Sequence, residues 1–154
     1  MQNFGIYIHI PFCQKKCKYC DFISFDKCDE SIKENYVQAI LKEIENCQIK
    51  KKVSTIYIGG GTPSILPAKS MQEILEKIKQ KFDLVENTEI TIEVNPGTVD
   101  LPKLKMYQNM GINRLSIGLQ ATQNRLLDLL GRIHQYEDFA QVYNEARNVR
   151  ICEH

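Results

Sequence analysis

Tyr7-Ile8-His9-Ile10-Pro11-Phe12-Cys13-Gln14-Lys15-Lys16-Cys17-Lys18-Tyr19-Cys20 places a short apolar run directly before three cysteines spaced C-x3-C-x2-C. Gly5 to Ile10 reads as a strand, and the cysteine loop follows it. Three thiolates can bind a four-iron cluster and leave one iron without a protein ligand, whereas a fourth would close the site. An open iron can bind a small molecule and pass it an electron. Tetrahedral zinc is the competing reading, because it needs four ligands and Cys28 or His9 could be the fourth. A disulfide framework fits less well: six cysteines in 154 residues with no secretory leader read as reduced, cytoplasmic thiols.

Beyond the loop, strand and helix patterns alternate. Ser31 is read as the start of a helix, since Ser31-Ile32-Lys33-Glu34 fits a capping box, and Ile32, Tyr36, Ile40 and Ile44 are assigned to its buried face. Val53 to Ile58 reads as a second strand, ended by Gly59-Gly60-Gly61. A helix is expected over about Ala68 to Phe82, with Met71, Leu75, Ile78 and Phe82 inward. Glu89 to Val94 is a third strand, stopped by Asn95-Pro96-Gly97. Leu101 to Met110 reads as a helix with Gly111 at its C-terminal cap. Ile112 to Leu119 reads as a fourth strand, with Leu115, Ile117 and Leu119 on one face. Helices over about Asn124 to Leu130 and Tyr136 to Arg147 follow, separated by Gly131, and Val149 to Cys152 reads as the start of a fifth strand. Such alternation predicts an α/β fold: a partial (β/α) barrel of parallel strands with outer helices joined by right-handed crossovers.

The unusual residues sit where such a fold places its chemistry. Cys13, Cys17 and Cys20 follow strand one, the triple glycine follows strand two, Glu93 ends strand three and Gln120 lies just past strand four. All are at C-terminal strand ends, the mouth at which β/α barrels build active sites. Gly60, Gly61 and Thr62 expose backbone and a hydroxyl to a ligand. Glu93 could accept hydrogen bonds from a hydroxyl pair or an ammonium, or could equally serve a structural ion pair with a lysine. Arg132 suits a carboxylate in a bidentate pair. His9 reads as a satisfied barrel residue, and His134 as the opening of a helix with no role assigned. A ligand with an amino-acid end, hydroxyls and a flat ring, able to reach an open iron, matches S-adenosylmethionine. One electron from a reduced cluster splits its sulfonium and releases a 5′-deoxyadenosyl radical, chemistry that belongs to the cofactor while the protein positions and shields it.

Composition narrows the partners. The formal net charge is +1 with mixed signs, which argues against a nucleic-acid binder. Lys50-Lys51-Lys52 reads as a solvated loop. No apolar stretch approaches the roughly 20 residues of a membrane span.

Five blocks carry a resemblance. Tyr7 to Cys13 continuing through Cys20-Asp21-Phe22, then Gly59-Gly60-Gly61-Thr62-Pro63-Ser64, Glu93-Val94-Asn95-Pro96, Ser116-Ile117-Gly118-Leu119-Gln120 and Leu130-Gly131-Arg132-Ile133-His134 resemble, in order, the radical S-adenosylmethionine proteins related to oxygen-independent coproporphyrinogen III oxidase. The oxidases carry a further cysteine two residues after the third cluster cysteine; Phe22 stands there in this chain, which resembles the heme-chaperone (HemW) branch. The resemblance implies that Cys13, Cys17 and Cys20 ligate a 4Fe-4S cluster. It implies that Tyr7, Tyr19, Gly60, Gly61, Thr62, Glu93, Gln120 and Arg132 contact S-adenosylmethionine. It also implies heme or porphyrin as a partner of the full-length family, an electron donor such as flavodoxin or ferredoxin, and a heme-accepting respiratory protein. The branch implies heme delivery; the alternatives are radical oxidative decarboxylation in heme biosynthesis, or an inactive remnant.

Family members run to well over twice this length. Residues 1–154 are therefore expected to be the N-terminal part of a radical S-adenosylmethionine core domain, about four β/α units. The rest of the barrel and a C-terminal domain with a heme-binding motif are expected to be absent. Arg150 to His154 departs from the family pattern. Cys28, Cys47 and Cys152 are read as incidental thiols.

Overall fold

The structure is a computed structural model and describes residues 4–151. In chain order the elements are β1 (Phe4–Ile10), β2 (Phe12–Cys13), β3 (Phe25–Asp26), α1 (Glu30–Asn46), β4 (Val53–Gly60) and α2 (Ala68–Lys81). They continue with β5 (Leu84–Val94), α3 (Leu101–Asn109), β6 (Arg114–Ile117), α4 (Asn124–Leu130) and α5 (Tyr136–Asn148). One four-stranded sheet has the order β1-β4-β5-β6, parallel throughout.

Side chains alternate across a strand, so each row of paired residues belongs to one face. The row Ile8, Ile58, Ile92, Leu115 runs across all four strands and is buried. It packs with Val37, Ile40 and Ile44 of α1, Met71, Ile74, Leu75 and Ile78 of α2, and Leu104 and Tyr107 of α3 in one core. Burying each of these isoleucines contributes about 1.5–3 kcal/mol. The adjacent row is Tyr7, Tyr57, Thr91, Arg114. It gives the opposite face a polar character, which suits a barrel interior that receives a ligand.

Several expectations need correction. Helix α1 begins at Glu30 with Asp29 as N-cap, so Ser31 lies inside the first turn and the Ser31–Glu34 capping box does not form. Its buried residues are Lys33, Val37, Ile40 and Ile44, while Ile32 is 50% exposed. A list stepping by four residues drifts about 40° per step on a 3.6-residue helix, so Ile32 and Ile44 cannot share a narrow face. Lys33 lies along the core and its Nζ donates to Glu30 Oε1 at 2.6 Å. Strand β4 runs through Gly60 rather than stopping at Ile58, and β5 starts at Leu84, five residues before Glu89. Strand β6 spans only Arg114–Ile117, shorter than Ile112 to Leu119; beyond it Leu119 N turns back to Ile117 O at 3.1 Å and Gln120 takes φ of 67°. The strand expected from Val149 does not form among the described residues. Helix α5 runs to Asn148, Arg150 takes φ of 56°, and Ile151 folds back to bond the Ala146 carbonyl at 3.2 Å and enter the core. Cys152 lies outside the described residues. No helix of the described residues is long and apolar enough to cross a membrane.

Other expectations hold. Met71, Leu75 and Ile78 are buried in α2. Leu101–Asn109 forms α3 and Gly111 follows its end with φ of 90°, as expected; the structure adds Asp100 as its N-cap, accepting from Lys103 N at 2.9 Å. Gly131 closes α4 in the left-handed conformation that glycine tolerates.

Candidate functional site

The cysteine loop leaves β1 and returns through the short β2–β3 pair, which the sequence reading did not find. Its base is tied by Phe25 N donating to Pro11 O at 2.7 Å. Its middle is tied to the end of α4 by Lys18 N donating to Leu130 O at 3.1 Å. Between these anchors Cys20 N donates to Cys17 O at 3.1 Å. Lys18 and Leu130 are far apart in sequence, so the loop is shaped by the α4 unit, not by its own residues alone.

Cys13, Cys17 and Cys20 line one cavity of about 290 Å³. Its wall also holds Tyr19, Gly60, Gly61, Thr62, Glu93, Gln120 and Arg132. The structure thus brings together every site residue expected from sequence except Tyr7. Tyr7 is 57% exposed on β1 and lines a different cavity, between that strand and α1. It stacks on Tyr57 with ring centroids 6.1 Å apart, and its hydroxyl lies 3.1 Å from His9 Nδ1.

Glu93 is held from both sides. Tyr57 Oη donates to its Oε1 at 2.7 Å and Gly60 N to its Oε2 at 3.0 Å. These donors, not a lysine ion pair, orient it at the mouth. Burial, the hydrogen bond to Glu93 and its negative charge all raise the Tyr57 pKa, so the phenol keeps its proton for that bond. Gly60 has φ of 121°, and a Cβ there would lie 2.7 Å from the His9 ring. A Cβ on Gly61 would lie 2.8 Å from Phe12 O and 3.0 Å from Cys13 Sγ. Only glycine lets the chain leaving β4 pass this close to the first cysteine. Thr62 Oγ1 donates to Cys13 Sγ at 3.6 Å.

Arg132 crosses the opposite wall. Its Nη1 donates to Cys17 Sγ at 3.7 Å and to Tyr19 Oη at 3.4 Å, and its Nη2 to Gly118 O at 2.9 Å. Its Nε is buried without a partner among the described residues. A Cβ on Gly118 would lie 3.1 Å from Nη2, so Gly118 makes room for the guanidinium. His134 does not open a helix: Gln135 is the N-cap of α5, and Asp138 accepts from its backbone N at 2.8 Å. His134 is instead fully buried, 3.3 Å from Arg132 Nη2 and 3.2 Å from Asn95 Oδ1. Burial and the neighbouring Arg132 charge lower its pKa.

The donor set fits an iron–sulfur cluster better than zinc. Three thiols share the cavity, but neither proposed fourth zinc ligand, Cys28 or His9, lines it. His9 is engaged elsewhere, its Nε2 lying 3.1 Å from Ile23 O. Among the described residues no three His, Cys, Asp or Glu side chains are grouped to hold a single ion. A cluster differs in that its protein ligands go to different irons.

A family comparison settles the class. The model of the "Radical SAM superfamily" matches residues 7–152. The chain belongs to the radical SAM superfamily. It is 44% identical over 133 residues to the "Heme chaperone HemW" of Escherichia coli (strain K12), covering 84% of this chain and 35% of that protein. It is 39% identical over 150 residues to the "Heme chaperone HemW" of Haemophilus influenzae, covering 93% of this chain and 39% of that protein. Among solved structures it resembles the E. coli radical SAM enzyme coproporphyrinogen III oxidase (HemN). The TM-score is 0.90 and the identity 29%, over 96% of this chain and 35% of that one. The chain therefore spans a little over a third of the length of these relatives. Parallel strands, outer helices and a partial radical SAM barrel agree with the fold expected from sequence.

Four residues of the site escaped sequence reading: Tyr57, Asn95, Gly118 and His134. Tyr57 was findable, since it alternates with the apolar Ile56 and Ile58 on β4 and so must face the ligand side. Gly118 and His134 lie inside recognised blocks, but nothing local says that their neighbour is Arg132.

Proposed function

We propose that this chain forms the 4Fe-4S- and S-adenosylmethionine-binding part of a heme-chaperone-type radical SAM protein. Residues 1–154 would make up the N-terminal part of its core domain. The observation that carries the reading is the single cavity in which Cys13, Cys17 and Cys20 face Glu93 and Arg132. When bound, the cluster supplies one electron to S-adenosylmethionine, and the protein's part is to bind, orient and shield. Cys13, Cys17 and Cys20 would hold the cluster. Glu93, fixed by Tyr57 and Gly60, offers an acceptor for the cofactor's ammonium or hydroxyls. Arg132 offers donors for its carboxylate, Tyr19 a ring for its adenine, and Gly60, Gly61 and Thr62 backbone and a hydroxyl beside Cys13.

Heme or porphyrin as cargo, an electron donor of the flavodoxin or ferredoxin kind, and a respiratory heme acceptor belong to the same proposal. Support comes from the names of the relatives and from Phe22, which lines the cavity where an oxidase would carry a cysteine. The close structural likeness to an oxidase favours coproporphyrinogen decarboxylation as the second reading. An anaerobic assay separates them. Heme transfer to an apo-cytochrome without decarboxylation of coproporphyrinogen III is expected; decarboxylation coupled to S-adenosylmethionine cleavage would overturn the chaperone reading.

A further inference from the structure

We propose that His134 is the positioning residue for Arg132: its Nδ1 accepts from guanidinium Nη2 and fixes the plane in which Nη1 meets the cysteine loop and the cofactor cavity. His134 Nδ1 lies 3.3 Å from Arg132 Nη2 and 3.2 Å from Asn95 Oδ1. A ring nitrogen carries either a lone pair or a proton, so it cannot serve both neighbours. A guanidinium only donates. A bond from Arg132 therefore requires the lone pair on Nδ1 and the proton on Nε2. Asn95 Oδ1 has another use, accepting from Gly97 N at 3.4 Å as it caps its turn.

The alternative tautomer would donate Nδ1–H to Asn95 and set two N–H groups against each other at the Arg132 contact; the Nε2–H form leaves that proton buried with no partner among the described residues and Nδ1 beside a second acceptor, so the contact with the Arg132 charge is what must favour it. Burial and the Arg132 charge both favour the neutral ring, so a lone pair is present near neutral pH. Arg132 needs such a fixture. Its Nε has no partner among the described residues, and Gly118 O and His134 together bracket Nη2, leaving Nη1 to face Cys17 and Tyr19. A long side chain fixed at one end of its head group presents the other end without the rotamer entropy a free arginine would lose on binding.

The inference rests on the proposed cofactor role only for its effect on affinity, and the experiment has two arms. In the first, ¹⁵N NMR of labelled histidine in the metal-free chain reads the tautomer. His134 should carry its proton on Nε2, and Arg132→Met should move it to Nδ1, now free to donate to Asn95. A proton on Nδ1 in the parent chain, or no change in Arg132→Met, overturns the proposal. In the second arm, reconstituted His134→Leu should bind S-adenosylmethionine about tenfold more weakly at unchanged cluster content. His134→Asn, whose Oδ1 can replace the Nδ1 acceptor, should stay within about threefold of the parent. Equal affinity in His134→Leu and the parent overturns the proposal. If the parent itself binds no S-adenosylmethionine, the proposed function fails, and the tautomer arm still decides the role of His134.

Discussion

Replacing Gly61 by alanine tests whether the glycine turn is shaped by the cysteine loop. The added Cβ would meet Phe12 O at 2.8 Å, Cys13 Sγ at 3.0 Å and Phe12 C at 3.2 Å. Ordinary contact begins near 3.4 Å, so the two chains must part by about half an ångström. They cannot part freely. Gly61 N donates to Ile10 O at 2.9 Å, and Thr62 N donates to the same Phe12 O at 2.8 Å. The strain falls on backbone, not on the end of a flexible side chain. Overpacking of this kind costs about 1–3 kcal/mol. In a chain of this size each kcal/mol lowers Tm by about 2–4 °C. Gly97→Ala is the control, since its Cβ would sit 3.6 Å from Ile133 Cδ1 in ordinary contact. Thermal melts and iron and sulfide content after anaerobic reconstitution would be measured for both. Gly61→Ala should melt lower and assemble less cluster, because the shift moves Cys13. A Gly61→Ala chain that melts and assembles cluster like the parent would show that the cysteine loop does not confine Gly61.

Tyr57→Phe removes one of the two donors that hold Glu93, and should weaken S-adenosylmethionine binding several-fold while costing about 1 kcal/mol of stability, read by equilibrium binding and urea titration. Tyr107→Phe should stabilise the chain by about 1 kcal/mol in the same titration, because the Tyr107 hydroxyl is buried with no partner among the described residues. Burial raises the Tyr107 pKa. Its contribution is therefore complete below the ordinary tyrosine pKa near 10, falls as the unfolded phenol ionises above it, and should be missing from the alkaline slope of Tyr107→Phe. His134 has a lowered pKa, so its contribution is present above the ordinary histidine value near 6.5 and lost as pH falls below it. Melts across that range should show a shallower acid loss in His134→Asn than in the parent.

The parallel sheet was legible because its strands are short β-branched runs between helical periods, and four unusual loops fell at the same strand ends. The ends of elements were less so. Helix α1 starts one residue earlier than Ser31, where Ile32 N and Lys33 N bond the Asp29 carbonyl, a choice between neighbouring polar residues that no local pattern settles. The stop at Arg150 depends on Ile151 reaching the core. The cysteines, the glycine turn, Glu93 and Arg132 announce themselves by residue type. Their supports do not. Tyr57 and Glu93 are 36 residues apart, and Arg132 and Cys17 are 115 apart. Such pairings exist only once the strands are in register and α4 has closed over the loop. Tyr7, expected at the cofactor, lies beside Tyr57 on the edge strand β1 and lines the cavity against α1.

The most direct test of the central claim is electron paramagnetic resonance of the anaerobically reconstituted, reduced protein with and without S-adenosylmethionine. A cluster signal is expected that shifts when the cofactor is added and disappears in Cys17→Ala. A parent protein that assembles no cluster, or one whose signal is indifferent to S-adenosylmethionine, would contradict it.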